Sequence, residues 1–151
     1  MNDESVLRCQ LVAGPKELAG KALLDLGAGE LTARLIDGSL LQSEMGIFTT
    51  FAGALQFPWY FGHNWHAFDE SFGELAEEEL GSGLGLVIMN SERLDPTSSG
   101  LRSLIASLRY AGDDWSQLEQ PLRLAVVLQY DGEIAPEMEA AWRAAGVELD
   151  S

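Results

Sequence analysis

Residues 57–75 read FPWYFGHNWHAFDESFGEL, and the rest of the chain is understood outward from them. Trp65, Phe68, Phe72 and Leu75 recur at intervals of three and four, the rhythm of a helix with one buried side. Asn64 stands where that helix starts; its short side-chain oxygen suits the capping of a backbone N–H one turn in, and Gly62 allows a tight approach before it. The opposite face carries His66, Asp69, Glu70, Gly73, Glu74 and Glu77. The preceding loop adds Trp59, Tyr60, Phe61 and His63. Rings that exclude water, set beside carboxylates that steer and orient, are what a surface needs to dock on a basic protein. A half-buried helix with a merely solvated outer face is the plainer reading of the same pattern.

The charge balance narrows the partners. Against 24 acidic residues stand only 9 Lys plus Arg, giving a formal net charge of −15. Nucleic-acid affinity comes largely from basic side chains that displace counterions, so DNA and RNA are excluded as expected partners; basic proteins are the natural ones. Cys9 is the one cysteine, which rules out an intramolecular disulfide. The opening MNDESVLRCQ has acids where a secretory leader has a basic patch, and no apolar run approaches a membrane span. A cytoplasmic protein without membrane association is expected. At 151 residues the chain is read as a single domain with its own core.

Along the chain, Val6–Val12 has strand composition. Pro15–Leu26 reads either as a short helix with Pro15 in its first turn or, from Ala22 on, as one arm of a hairpin turning at Gly27-Ala28-Gly29. Glu30–Ile36 alternates as a strand and Asp37-Gly38 signals a turn. Ser43 is placed to cap a helix reaching Leu55, with Ile47, Phe48, Phe51, Ala52 and Leu55 in helical rhythm. Leu84–Met89 is a continuous apolar run of strand length, which suits a strand covered on both faces. Leu101, Leu104, Ile105, Leu108 and Ala111 mark another helix, expected to end near Gly112-Asp113-Asp114. Leu122–Gln129 is a second buried-type strand, and Pro136–Ala145 is a closing helix stopped by Gly146. Strands separated by helices imply a small parallel sheet with helices packed on it, an α/β protein.

From about Thr32 to Phe72 the chain resembles the barstar family of intracellular ribonuclease inhibitors. A strand ends in Ile36-Asp37-Gly38, a helix follows, and then come Pro58, Tyr60, Phe61, Gly62, Asn64, Trp65, Ala67 and Phe68 in the family's proline, aromatic pair, glycine, x, asparagine order. The resemblance implies a three-layer fold with a three-stranded parallel sheet over about residues 30–130. Residues 1–29 and 131–151 would then be extensions able to cover a sheet edge. It also implies an inhibitor or immunity protein, not an enzyme, that blocks the active site of a basic extracellular-type ribonuclease or nuclease toxin, with carboxylates standing in for substrate phosphates. Tyr60 and Asn64 match the family's contact positions, and Glu70 falls where the family has its most important aspartate. Two positions depart: His66 stands where the family typically has an acid, and Arg102 where it has a glutamate on the following helix. Asp69 replaces a family tryptophan and restores charge beside Glu70. The partner-binding set is therefore Trp59, Tyr60, His63, Asn64, His66, Asp69, Glu70 and Glu74. A barstar-fold interaction or scaffold protein with no nuclease target is the alternative.

Other chemistries fare worse. His63, His66 and Glu70 are spaced i, i+3 and i+7, which would bring three metal-ligating side chains near one helix start, but the spacing matches no metal signature. Cys9 and Ser71 lack a neighbouring base that would activate a nucleophile. Gly81-Ser82-Gly83-Leu84-Gly85 is glycine-rich but leads into a strand and carries no lysine, unlike a phosphate loop. No metal or cofactor is expected, and Trp115 and Trp142 are read as core or subunit-contact residues, not ligand platforms.

Overall fold

The computed structural model describes residues 7–151. The elements run β1 (Arg8–Ala13), α1 (Glu17–Ala28), β2 (Thr32–Asp37), α2 (Glu44–Leu55), α3 (Trp65–Glu74), β3 (Gly83–Met89), α4 (Ser99–Ser116), β4 (Arg123–Tyr130), α5 (Pro136–Ala144) and β5 (Glu148–Asp150). The strands form one sheet in the order β2-β3-β4-β1-β5, and every pairing is parallel. The α/β class and parallel sheet agree with the sequence reading, but the sheet has five strands rather than three. The difference lies in the two segments read as extensions: β1 pairs with β4 from Cys9↔Val126 to Ala13↔Tyr130, and β5 adds three residues beyond β1. Three residues are too few to show a period, which is why β5 escapes a pattern search.

Alternation along β3 divides the core. Leu84, Leu86 and Ile88 point to the side covered by α2, α3, α4 and α5, whereas Val87 meets Ala19 of α1 and Val127 of β4 on the other. The close approach of α1 needs Gly85, since a Cβ there would stand 2.8 Å from Leu26 Cδ1. Of the two readings of residues 15–29, the helix is the one formed. Gly29 closes it, its N–H donating to the carbonyls of Asp25 and Leu26, so the Gly27-Ala28-Gly29 stretch is a helix end and not a hairpin turn. The helix expected to end near Gly112-Asp113-Asp114 runs on to Ser116, because Trp115, one turn past Ala111, extends the buried stripe and is fully enclosed. Cys9 is likewise enclosed; burial, reinforced by the Asp150 charge, pushes its thiol well above the ordinary range and leaves it unreactive. The start of the expected Val6–Val12 strand falls at Val6, outside the described residues.

The carboxyl-terminal ends of four strands are stitched by side chains. Gln129, fully buried, donates from Nε2 to the Gly14 carbonyl (2.7 Å) and accepts at Oε1 from the Asn90 N–H (2.9 Å). Asn90 Nδ2 in turn donates to Asp37 Oδ1 (3.0 Å), which also accepts from the Ser39 N–H and hydroxyl. A buried amide satisfied at both ends rigidifies its surroundings, and one left unpaired is costly. Gly38 lets the chain turn here, since a Cβ would lie 2.7 Å from the Met89 carbonyl oxygen.

Burial pushes the Asp37 carboxyl up, but the hydrogen bonds from Asn90 and Ser39 outweigh it and hold the group below its ordinary 3.8. A carboxyl depressed in the folded state contributes stability that is complete above the unfolded value and is lost as pH falls through the folded one. Urea unfolding at pH 7 and pH 3 should therefore show a smaller acid-induced loss for Asp37→Asn than for the parent chain. An equal loss would contradict a role for this network in acid stability.

Candidate functional site: the loop and helix of residues 57–75

Helix α3 starts where Asn64 leaves extended backbone (φ −144°, ψ 168°) and its Oδ1 accepts from the Ala67 N–H at 2.8 Å. The same side chain donates from Nδ2 to the Gly62 carbonyl (3.2 Å), so one residue caps the helix and ties down the loop ahead of it. Pro58 to Phe61 form a tight turn closed by the Phe61 N–H donating to the Pro58 carbonyl (2.9 Å). The turn is clamped by its flanks, because Phe57 and Phe61 pack edge to face at 5.1 Å and both point toward the core. Its two central residues have nowhere to go but outward: Trp59 is 95% exposed and Tyr60 68%, their rings perpendicular at 5.6 Å. A tryptophan held in water on a rigid turn keeps its apolar area available for a partner.

The buried side of α3 is organised by Phe68, fully enclosed and within ring contact of Phe48, Phe51, Phe57, Trp65 and Phe72; Phe72 stacks in turn on Trp115 of α4. Two polar ties finish the alignment. The Trp65 indole N–H donates to Glu44 Oε2 of α2 (2.9 Å), and the Ser107 hydroxyl of α4 donates to Asp69 Oδ1 (2.6 Å). Sequence reasoning identified neither Glu44 nor Ser107, which lie 21 and 38 residues from their partners. No local pattern marks such a contact.

The other residues read from the sequence divide by position. His66, Glu70 and Glu74 recur at every fourth residue and are all exposed, forming one ridge along the helix. His66 Nε2 stands 3.7 Å from Glu70 Oε2, an i,i+4 pair in solvent. Asp69 is exposed too, but its bond to Ser107 turns it toward α4. His63, in left-handed backbone (φ 52°), lays its ring against Phe61 at 4.8 Å, and its Nδ1–H donates to the Phe61 carbonyl (3.1 Å). That bond separates His63 from His66 in role. Among the described residues no group of three or more His, Cys, Asp or Glu side chains is arranged to hold a metal, so the i, i+3, i+7 spacing does not assemble a ligand set. Ser71 is buried and Arg102 exposed on α4.

Removing the hub ring should be far more damaging than removing the cap. Phe68→Ala is expected to cost about 3–5 kcal/mol, and Asn64→Ala about 1 kcal/mol, measured by denaturant unfolding with unchanged slope. Equal costs would show that α3 is not held through Phe68.

Comparison with known proteins separates fold from family. The chain is similar in structure to Cdc6p from Pyrobaculum aerophilum, with 19% identity, a TM-score of 0.57 and coverage of 95% of this chain but 38% of that one. It is also similar to a chain of the Drosophila ORC bound to DNA (12% identity, TM-score 0.59, covering 96% and 25%) and to the Aeropyrum pernix ORC2 protein (10%, 0.56, covering 96% and 41%). The chain thus spans well under half of each of these longer proteins, and at such identities the likeness is one of fold alone. No curated protein sequence matches it significantly. At the level of sequence, the family model described as Barstar (barnase inhibitor) matches residues 31–128, which take in β2, the aromatic turn, α3 and β4 up to Leu128; the chain belongs to the Barstar family.

Proposed function

We propose that the chain inhibits a small basic ribonuclease or nuclease toxin by docking the 58–61 turn and the outer face of α3 over its active site. The observation that carries this reading is the juxtaposition on one rigid segment of Trp59 and Tyr60 in solvent with the exposed ridge of His66, Glu70 and Glu74. An enzyme that grips a polyanion presents clustered lysines and arginines. Carboxylates at fixed spacing substitute for phosphates there, while the rings supply the water-excluding contact. The formal charge of −15 adds long-range attraction to a cationic partner. Asp69 and Asn64 contribute by holding the segment in shape, His63 by bracing the loop, and Glu70 by direct pairing with a cation of the enzyme.

The likeness to the ORC and Cdc6 chains supports no nucleotide or DNA role. One of those structures holds adenine nucleotides and another DNA. In doubly wound sheets ligands enter at the carboxyl ends of strands where the winding reverses. Here Gln129 occupies that seam, bonded to the exits of β1 and β3.

Titration of barnase and other small basic ribonucleases with the chain, read as loss of RNA cleavage, tests the proposal. One-to-one inhibition is expected, with association slowing as salt is raised. Glu70→Ala should weaken the complex by about 2–5 kcal/mol, as for one partner of a desolvated charge pair, and Trp59→Ala by more than about 1 kcal/mol, both with unchanged fold. Undiminished inhibition by both variants would remove this surface from the interface. Failure to inhibit any basic ribonuclease would favour an interaction protein with another target.

A further inference from the structure

The resemblance assigns Glu70 a role but leaves His66 as a departure. His66 lies one turn before Glu70, its Nε2 3.7 Å from the carboxylate. Asp69 and His63 beside it, and Glu44 on α2, are engaged elsewhere. Asp69 is bonded to Ser107 of α4, Glu44 of α2 accepts from the Trp65 indole, and His63 is turned onto the Phe61 carbonyl, while Arg102 of α4 is exposed to solvent. Among the described residues Glu70 is the one acid within ion-pair distance of His66.

We propose that His66 gates Glu70 and so tunes how strongly the α3 ridge holds a cationic partner. Resting on the docking reading above, the gate works as follows. A neutral imidazole leaves the Glu70 carboxylate free for a partner's lysine or arginine. A protonated one pairs with Glu70 and also sets a positive charge on the docking face, directed at a positive partner. Histidine is the side chain whose charge changes between about pH 5 and 8, so both effects weaken the complex as pH falls through that range. By linkage, binding of the partner expels the proton from His66. The pair is exposed, with side-chain accessibilities of 87% and 67%, so its influence is that of a single screened charge interaction.

Two measurements decide the matter. In the free chain, the Glu70 side-chain carboxyl carbon signal, followed by NMR, should show a second inflection between about pH 5 and 8 that is absent in His66→Gln. With barnase as probe, the dissociation constant of the parent chain should rise between pH 8 and 5.5 by about three- to tenfold more than that of His66→Gln, a comparison that cancels titrations on the enzyme. Added salt should shrink the difference. Parallel pH profiles, or a Glu70 signal indifferent to His66, would overturn the gate alone. Absence of binding by both proteins at every pH would overturn the docking reading and the gate with it.

Discussion

The placement of one ring, Phe68, is the constraint on which the outer surface depends. Enclosed by Phe48 and Phe51 of α2, Phe57 of the following loop, and Trp65 and Phe72 of its own helix, it fixes the rotation of α3 about its axis. Once that rotation is set, 3.6-residue periodicity leaves no freedom for the opposite side: His66, Glu70 and Glu74 must point to solvent. The same cluster reaches the loop through Phe57 and Phe61, so the turn that displays Trp59 and Tyr60 is anchored to the helix that displays the carboxylates. A single aromatic core therefore registers two groups of exposed residues against each other. Preorganisation of this kind lowers the ordering cost that a flexible loop pays on binding.

The sheet does different work. Its four longer strands are zipped in parallel register and joined at their carboxyl ends by the chain of bonds from Gly14 through Gln129 and Asn90 to Asp37. A satisfied polar seam closes this end of the sheet, and the exposed rings and carboxylates of residues 57–75 lie on the helix layer of one face. The segments outside the minimal family region add β1 and β5 next to β4. They cover the edge that β4 would otherwise present and leave a strand of only three residues at the rim, which limits edge-to-edge pairing.

Much of this was legible in the sequence because the signals were local. Asn64 and Ser43 were recognisable as caps, and both accept the expected backbone N–H three residues on. The apolar run at Leu84–Met89 and the triplet-quartet spacing of Trp65, Phe68 and Phe72 mark a covered strand and a half-buried helix, and both form. What was illegible was non-local or too short. β5 has three residues, the Asp69–Ser107 and Trp65–Glu44 bonds join distant segments, and the continuation of α4 through Gly112 depended on Trp115 finding Phe72. The resemblance to a three-stranded family core also concealed that the first strand lies inside the sheet.

The surface of residues 57–75 as a preformed platform for a cationic enzyme is tested most directly by hydrogen–deuterium exchange on the chain alone and saturated with a basic ribonuclease. Slow exchange of the Phe61 and Ala67 amides in the free chain, together with new protection confined to the 57–75 segment and the adjoining turn of α4, is the expected result. Protection appearing on α1, α5 or the sheet edge while 57–75 exchanges unchanged would contradict it.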